Sequence, residues 1–120
     1  MTRRTERLNS LLREVISEVI QKQVRNPHIP LQLVSITRVD ITTDLHYAKV
    51  FVSVIGDDAL RVNVIKALGT ASGFIALNAS KLVRMRYFPS LTFKLDTSVD
   101  SQLRIDELLS DIEEEKKSRD

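Results

Sequence analysis

Gly69-Thr70-Ala71-Ser72-Gly73 is the stretch whose reading decides the fold. The residues before it, from about Asp58 to Thr70, read as one helix. Those after it, from Gly73 to about Arg86, read as a second. The break Ala71-Ser72-Gly73 contains only small residues, so another chain can approach its backbone closely. Beyond it come Lys81, Arg84 and Arg86, then Tyr87-Phe88-Pro89-Ser90-Leu91-Thr92-Phe93. A helix, a small-residue break, a second helix bearing cations and then a strand is one way to hold the phosphate backbone of single-stranded RNA. The same residues also suit an ordinary turn between two helices.

Upstream, residues from about Thr5 to Arg25 carry Leu8, Leu11, Leu12, Val15, Ile16, Val19, Ile20 and Val24 at steps of three and four. That spacing predicts an amphipathic helix with one apolar stripe. Asn26-Pro27-His28-Ile29-Pro30 ends it, since proline cannot extend the hydrogen-bond ladder. Residues 31–41 are rich in Val, Ile and Thr and read as a strand. Val34 and Ile36 are out of phase with Val39 and Ile41, which calls for a bulge or for burial on both faces. Thr42-Thr43-Asp44-Leu45 is a polar connector. Ala48, Val50, Val52 and Val54 then alternate with Tyr47, Lys49, Phe51 and Ser53, a strand with one buried face that forms an antiparallel hairpin with the first. Gly56-Asp57-Asp58 stops the strand and offers an Asp N-cap to the next helix.

Downstream, Leu91, Phe93 and Leu95 alternate in a third strand. Thr97 and Ser98 are N-cap candidates for a last helix, with Val99, Leu103, Leu108, Leu109 and Ile112 on an irregular apolar face. The architecture expected is α+β: a three-stranded sheet with helices on one face, made mixed by the crossover from the second strand to the third. Residues 1–112 form a single domain and residues 113–120 a charged, flexible tail.

Cysteine is absent, which excludes disulfides, thiolate chemistry and Cys-based zinc sites. No apolar run approaches the roughly 20 residues that span a bilayer. The N-terminus lacks an apolar signal segment, so a cytoplasmic protein is expected. The formal net charge of +2 hides an asymmetry. Residues 1–105 hold 15 Lys and Arg against 9 Asp and Glu, or +6; residues 106–120 hold 3 against 7, or −4. A basic body suits a polyanionic partner, although excess charge also serves solubility.

Candidate contacts follow from that charge. At about 100° per residue, Ser80, Lys81 and Arg84 share the polar side of the second helix of the pair, with Lys81 and Arg84 roughly 60° apart. The N-terminus of that helix lies at the break and suits phosphate. A solvated basic face is the plainer alternative. Arg3, Arg4 and Arg7 stand at a helix N-terminus, where cations oppose the helix dipole, so a polyanion contact is a reasonable account of them. Tyr47 and Phe51 would stack on bases if their sheet face is open, and belong to the core if helices cover it. His28 and His46 have no partner at metal-ligand spacing, and Asp57-Asp58 is better read as a helix cap than as a catalytic pair. No nucleotide fingerprint or nucleophile motif occurs. An enzyme, a cofactor or a small-molecule substrate is therefore not expected.

The element order resembles the type II KH domain. The Gly-x-x-Gly of an ordinary KH domain is not met, because Gly69 and Gly73 are four apart. The break is similar instead to the Ala-x-Gly of the ribosome-binding factor A family of bacterial small-subunit assembly factors. The opening helix ending in Asn26-Pro27 is similar too. So is Thr43-Asp44-Leu45-His46-Tyr47-Ala48-Lys49-Val50-Phe51-Val52-Ser53-Val54. Gly73-Phe74-Ile75, the run from Leu82 through Phe93, Asp96-Thr97-Ser98 and Arg104-Ile105-Asp106-Glu107-Leu108-Leu109 complete the pattern. The resemblance covers residues 3–112. It implies a non-catalytic, monomeric factor that binds free 30S subunits and their rRNA and assists late maturation and 5′-end processing of 16S rRNA, including in the cold. The candidate RNA contacts read from the residues are Arg3, Arg4, Arg7, Ala71, Ser72, Gly73, Lys81, Arg84 and Arg86. Ala76 departs from the basic residue usual just after the break. The alternative is a KH-like protein–protein module without direct RNA contact.

Overall fold

The opening apolar stripe does what its spacing predicts. In the computed structural model, which describes residues 3–98, helix α1 spans Arg3–Gln23 and buries Leu12, Val15, Ile16, Val19 and Ile20. Ile16 is fully buried, so truncation to Ala would cost about 2–5 kcal/mol. The helix stops two residues short of Arg25. Val24 N–H reaches back to Val19 O at 3.2 Å, a wider loop than the helical one, and buries its own side chain from outside the helix. The Gln21 amide then donates to Leu31 O at 3.2 Å, joining the helix to the turn Leu31–Leu33 that precedes the sheet.

Strand β1 (Val34–Ile41) pairs antiparallel with β2 (Tyr47–Val54). The broken phase of β1 is a bulge: Ile36 opposes Val52 and Arg38 opposes Phe51, leaving Thr37 as the extra residue. Val34, Ile36, Val39 and Ile41 thereby all face the helices. The connecting turn is tied by its own side chains. Thr42 Oγ1 lies 2.6 Å from Asp44 Oδ1, and His46 N–H donates to the same oxygen at 3.0 Å. Leu45 adopts φ 64°, unusual for a branched side chain.

Asp57 caps helix α2 (Asp58–Thr70) by accepting from Leu60 N–H at 2.8 Å. Helix α3 (Ser72–Ser80) follows at a bend of 57°. Ala71 alone makes the hinge: its N–H closes α2 onto Ala67 O at 3.0 Å, and its carbonyl opens α3 by accepting from Ile75 N–H at 2.9 Å. Its φ −87°, ψ 3° is the bridge conformation between the two helices. Val64, Leu68, Ile75 and Ala79 bury completely on the face that Ala48, Val50 and Val52 present.

The second helix does not reach Arg86. Ser80 Oγ donates to Leu77 O at 2.6 Å, the Asn78 amide to Phe74 O at 2.9 Å, and Leu82 N–H closes a tight turn onto Ala79 O at 3.0 Å. These local bonds compete with helix continuation. Lys81, Arg84 and Arg86 therefore lie in the connector 81–89 and not on a helix face. Strand β3 (Ser90–Leu95) then runs parallel to β2, giving the mixed order β1-β2-β3.

Among the described residues, helices cover one face of the sheet only. On the open face Tyr47 is exposed, and the Arg38 guanidinium stacks 4.1 Å from the centre of the half-buried Phe51 ring. These aromatics are not core. Beyond β3, Asp96 accepts from Ser98 N–H at 2.9 Å and from the bulge residue Thr37. The expected final helix beyond Ser98 and the tail 113–120 lie outside the described residues.

Candidate nucleic-acid interface

Three segments distant in sequence meet at one end of the sheet and enclose a cleft of about 640 Å³. The first turns of α1 supply Arg4, Arg7, Leu8 and Leu11, which share a helix face at steps of three and four. The β1–β2 turn supplies Asp44, Leu45 and His46, and the connector supplies Arg84, Met85, Arg86 and Tyr87. Two bonds hold these segments in place. Buried Asn9 on α1 accepts the Ile41 amide at 2.8 Å, and Ser90 N–H donates to His46 O at 2.9 Å.

The cleft has an apolar floor and a cationic rim. Leu8, Leu45 and Met85 are half-buried and pack against the main core. Arg4, Arg7, Arg84 and Arg86 are exposed, and among the described residues none of the four joins an ion pair. Arg86 lies 5.5 Å from the centre of the exposed Tyr87 ring. Asp44 is the cleft's carboxylate. The Thr42 hydroxyl first, then the His46 amide and imidazole, hold it below the usual carboxylate range. It stays charged and engaged by the turn that presents it. Guanidinium groups match phosphate with paired donors, and Tyr87 offers a ring face for stacking.

The structure thus joins four of the sequence candidates, Arg4, Arg7, Arg84 and Arg86. Arg3, Lys81 and the break Ala71-Ser72-Gly73 do not line this cleft. At the break, a Cβ built on Gly73 meets nothing within 4 Å, so no packing within the described fold requires glycine there. Leu8, Leu11, Leu45, His46, Met85 and Tyr87 were not candidates. The shared helix face of residues 4, 7, 8 and 11 is the one local signal that could have found part of this set. Among the described residues no group of three His, Asp or Glu could hold a metal ion, and no single helix is long and apolar enough to cross a membrane.

A mixed three-stranded sheet backed by α1 and a bent helix pair, with arginines gathered at one end, defines a type II KH-like domain. A sequence model described as ribosome-binding factor A matches residues 4–109, and the chain belongs to that family. Ribosome-binding factor A of Protochlamydia amoebophila (strain UWE25) is 60% identical over 97% of this chain and 88% of its own. A solution structure of a Thermotoga maritima protein assigned to the same factor superposes with a TM-score of 0.71 at 29% identity, covering 77% of this chain and 86% of that one. A Thermus thermophilus ribosome-binding factor A homology model, fitted into a cryo-EM map of a 30S complex of that factor, has the same fold at 23% identity. Its TM-score is 0.63, and the match covers 76% of this chain and 93% of that one.

Proposed function

We propose that this protein binds the free small ribosomal subunit through its rRNA and assists late maturation of 16S rRNA, including 5′-end processing and function in the cold. The observation that carries this is the convergence of Arg4, Arg7, Arg84 and Arg86, without carboxylate partners among the described residues, on one cleft. Four cations around one opening, ion-paired with no carboxylate among the described residues, favour a polyanionic partner. The ribosome, which the family's description names, is built on such a polyanion. The Thermus relative fitted into a 30S map supports the same partner. In this reading the protein acts as a cytoplasmic monomer without a substrate to turn over. Ala71-Ser72-Gly73, Arg3 and Lys81, which do not line the cleft, are further RNA contacts in this reading.

The test is sedimentation of cell lysate at low salt with antibody detection. The wild-type chain co-migrates with free small subunits, and the double change Arg7→Glu, Arg84→Glu releases it to the top of the gradient. Wild-type protein found only at the top would end the assignment. Retention of the double variant on the subunit would move the interface away from the cleft.

A further inference from the structure

We propose that the acidic segment 106–115 of the same chain docks into the arginine cleft and competes there with RNA. Charge complementarity is the first argument. Residues 106–115 carry six carboxylates and no cation, while the cleft rim carries four guanidiniums and one carboxylate that its own turn engages. Leu108, Leu109 and Ile112 lie within the segment and suit the apolar floor of Leu8, Leu45 and Met85.

The second argument is reach. Ser90 pairs beside His46 at the cleft end, so β3 runs away from the cleft and the described chain leaves at the far end of the sheet. Six residues of strand set that return distance at about 20 Å. Residues 99–105, seven in number, span at most about 25 Å when extended and only about 10 Å as a helix. Docking therefore requires these residues to run extended, in place of the helix expected from Thr97 or Ser98, and the acidic block then starts where the chain first regains the cleft. A tethered competitor of this kind acts at an effective concentration on the order of millimolar. It displaces weak, non-specific RNA and yields to a target that grips harder. The docking stands on the cleft's charge alone; the competition rests also on the RNA-binding reading above.

The 120 residues include no cysteine, so Ser118→Cys provides a unique attachment point for a nitroxide spin label. At low salt the label should broaden backbone amide signals of residues 4–11 and 84–87, and high salt or Arg7→Ala with Arg84→Ala should restore them. No broadening, or broadening instead at Lys49 and Lys94 on the open sheet face, would overturn the docking. The variant Asp111→Asn, Glu113→Gln, Glu114→Gln, Glu115→Gln should bind an unstructured oligouridine about tenfold more tightly than wild type at low salt, the gain for a competitor at about 1 mM effective concentration that holds the cleft with a Kd of about 0.1 mM. Broadening at the cleft with unchanged oligouridine affinity would confirm the docking and overturn the competition, and with it the cleft as the RNA site.

Discussion

Asn9 Oδ1 accepts the Ile41 amide at 2.8 Å inside the seam between the first helix and the first strand. Because β1 is an edge strand, this side chain supplies the partner that a further strand would otherwise provide. It also sets the height of α1 against the β1–β2 turn, and so the distance between the two halves of the cleft. Asn9→Ala should destabilise the fold by about 1–3 kcal/mol, the cost of leaving a buried amide unmet. Urea unfolding should show a lower midpoint with an unchanged slope. An unshifted midpoint would mean that water replaces the side chain at no cost.

Two glycines should respond in opposite directions to one methyl group. Gly73 lies within α3 with open space around it, so Gly73→Ala should stabilise the free protein by about 0.5–1 kcal/mol through helix propensity. Gly56 holds φ 156°, and a Cβ there would sit 2.5 Å from the Leu60 side chain. Gly56→Ala should cost on the order of 1–3 kcal/mol. Thermal midpoints compare the pair directly. If a nucleic-acid backbone approaches the break, Gly73→Ala will also weaken binding to small subunits while raising stability; equal binding would remove the break from the interface.

Lys81 and Arg84 are three residues apart but stand in different surroundings, only Arg84 lining the cleft. Each single-strand phosphate that a cation neutralises adds roughly 0.7 to the slope of log affinity against log salt. Replacing Arg7 and Arg84 together by Ala should therefore flatten that slope by about 1.4. Lys81→Ala, outside the cleft, should leave the slope unchanged for a fragment short enough to fill the cleft alone. Filter binding to a single-stranded rRNA fragment across a salt series reads both, and a Lys81 effect equal to that of Arg84 would argue for a wider contact.

Asp96 confers a pH dependence whose sign can be worked out. Hydrogen bonds from Ser98, then Thr37, then the Ser98 amide lower its carboxyl from 3.8 to about 2. A depressed carboxylate contributes stability that is complete above the unfolded value. The contribution disappears as pH falls through the folded one. Wild-type stability should therefore decline between about pH 4 and pH 2, and Asp96→Ala should flatten that part of the curve. Midpoints measured from about pH 5 to pH 2 decide it; parallel curves for the two proteins would show that the Ser98 and Thr37 hydrogen bonds to Asp96 do not persist in solution.

Much of this fold is legible because it is local. The stripe from Leu8 to Val24 and the alternation from Ala48 to Val54 each need only one element's geometry. The phase break between Ile36 and Val39 announces the bulge, since one extra residue is what returns both halves to the same face. Asp57 is readable as a cap for the same reason. The end of α3 is not, because Val83 continues the apolar spacing. It packs on the core from an irregular connector, which periodicity cannot distinguish from a further helical turn.

The sequence by itself determined the order of the described elements, the inward side of α1 and of the strands, a break at Ala71-Ser72-Gly73 and the excess of cations. Only the tertiary structure decided which cations share a surface. Arg4 and Arg7 are nearly eighty residues from Arg84 and Arg86, and no short-range pattern links them. They meet because Asn9 fixes α1 over the end of β1 while the parallel pairing of β3 with β2 returns the connector to that same end. The cleft is thus a consequence of strand order and one buried hydrogen bond, both set by long-range packing.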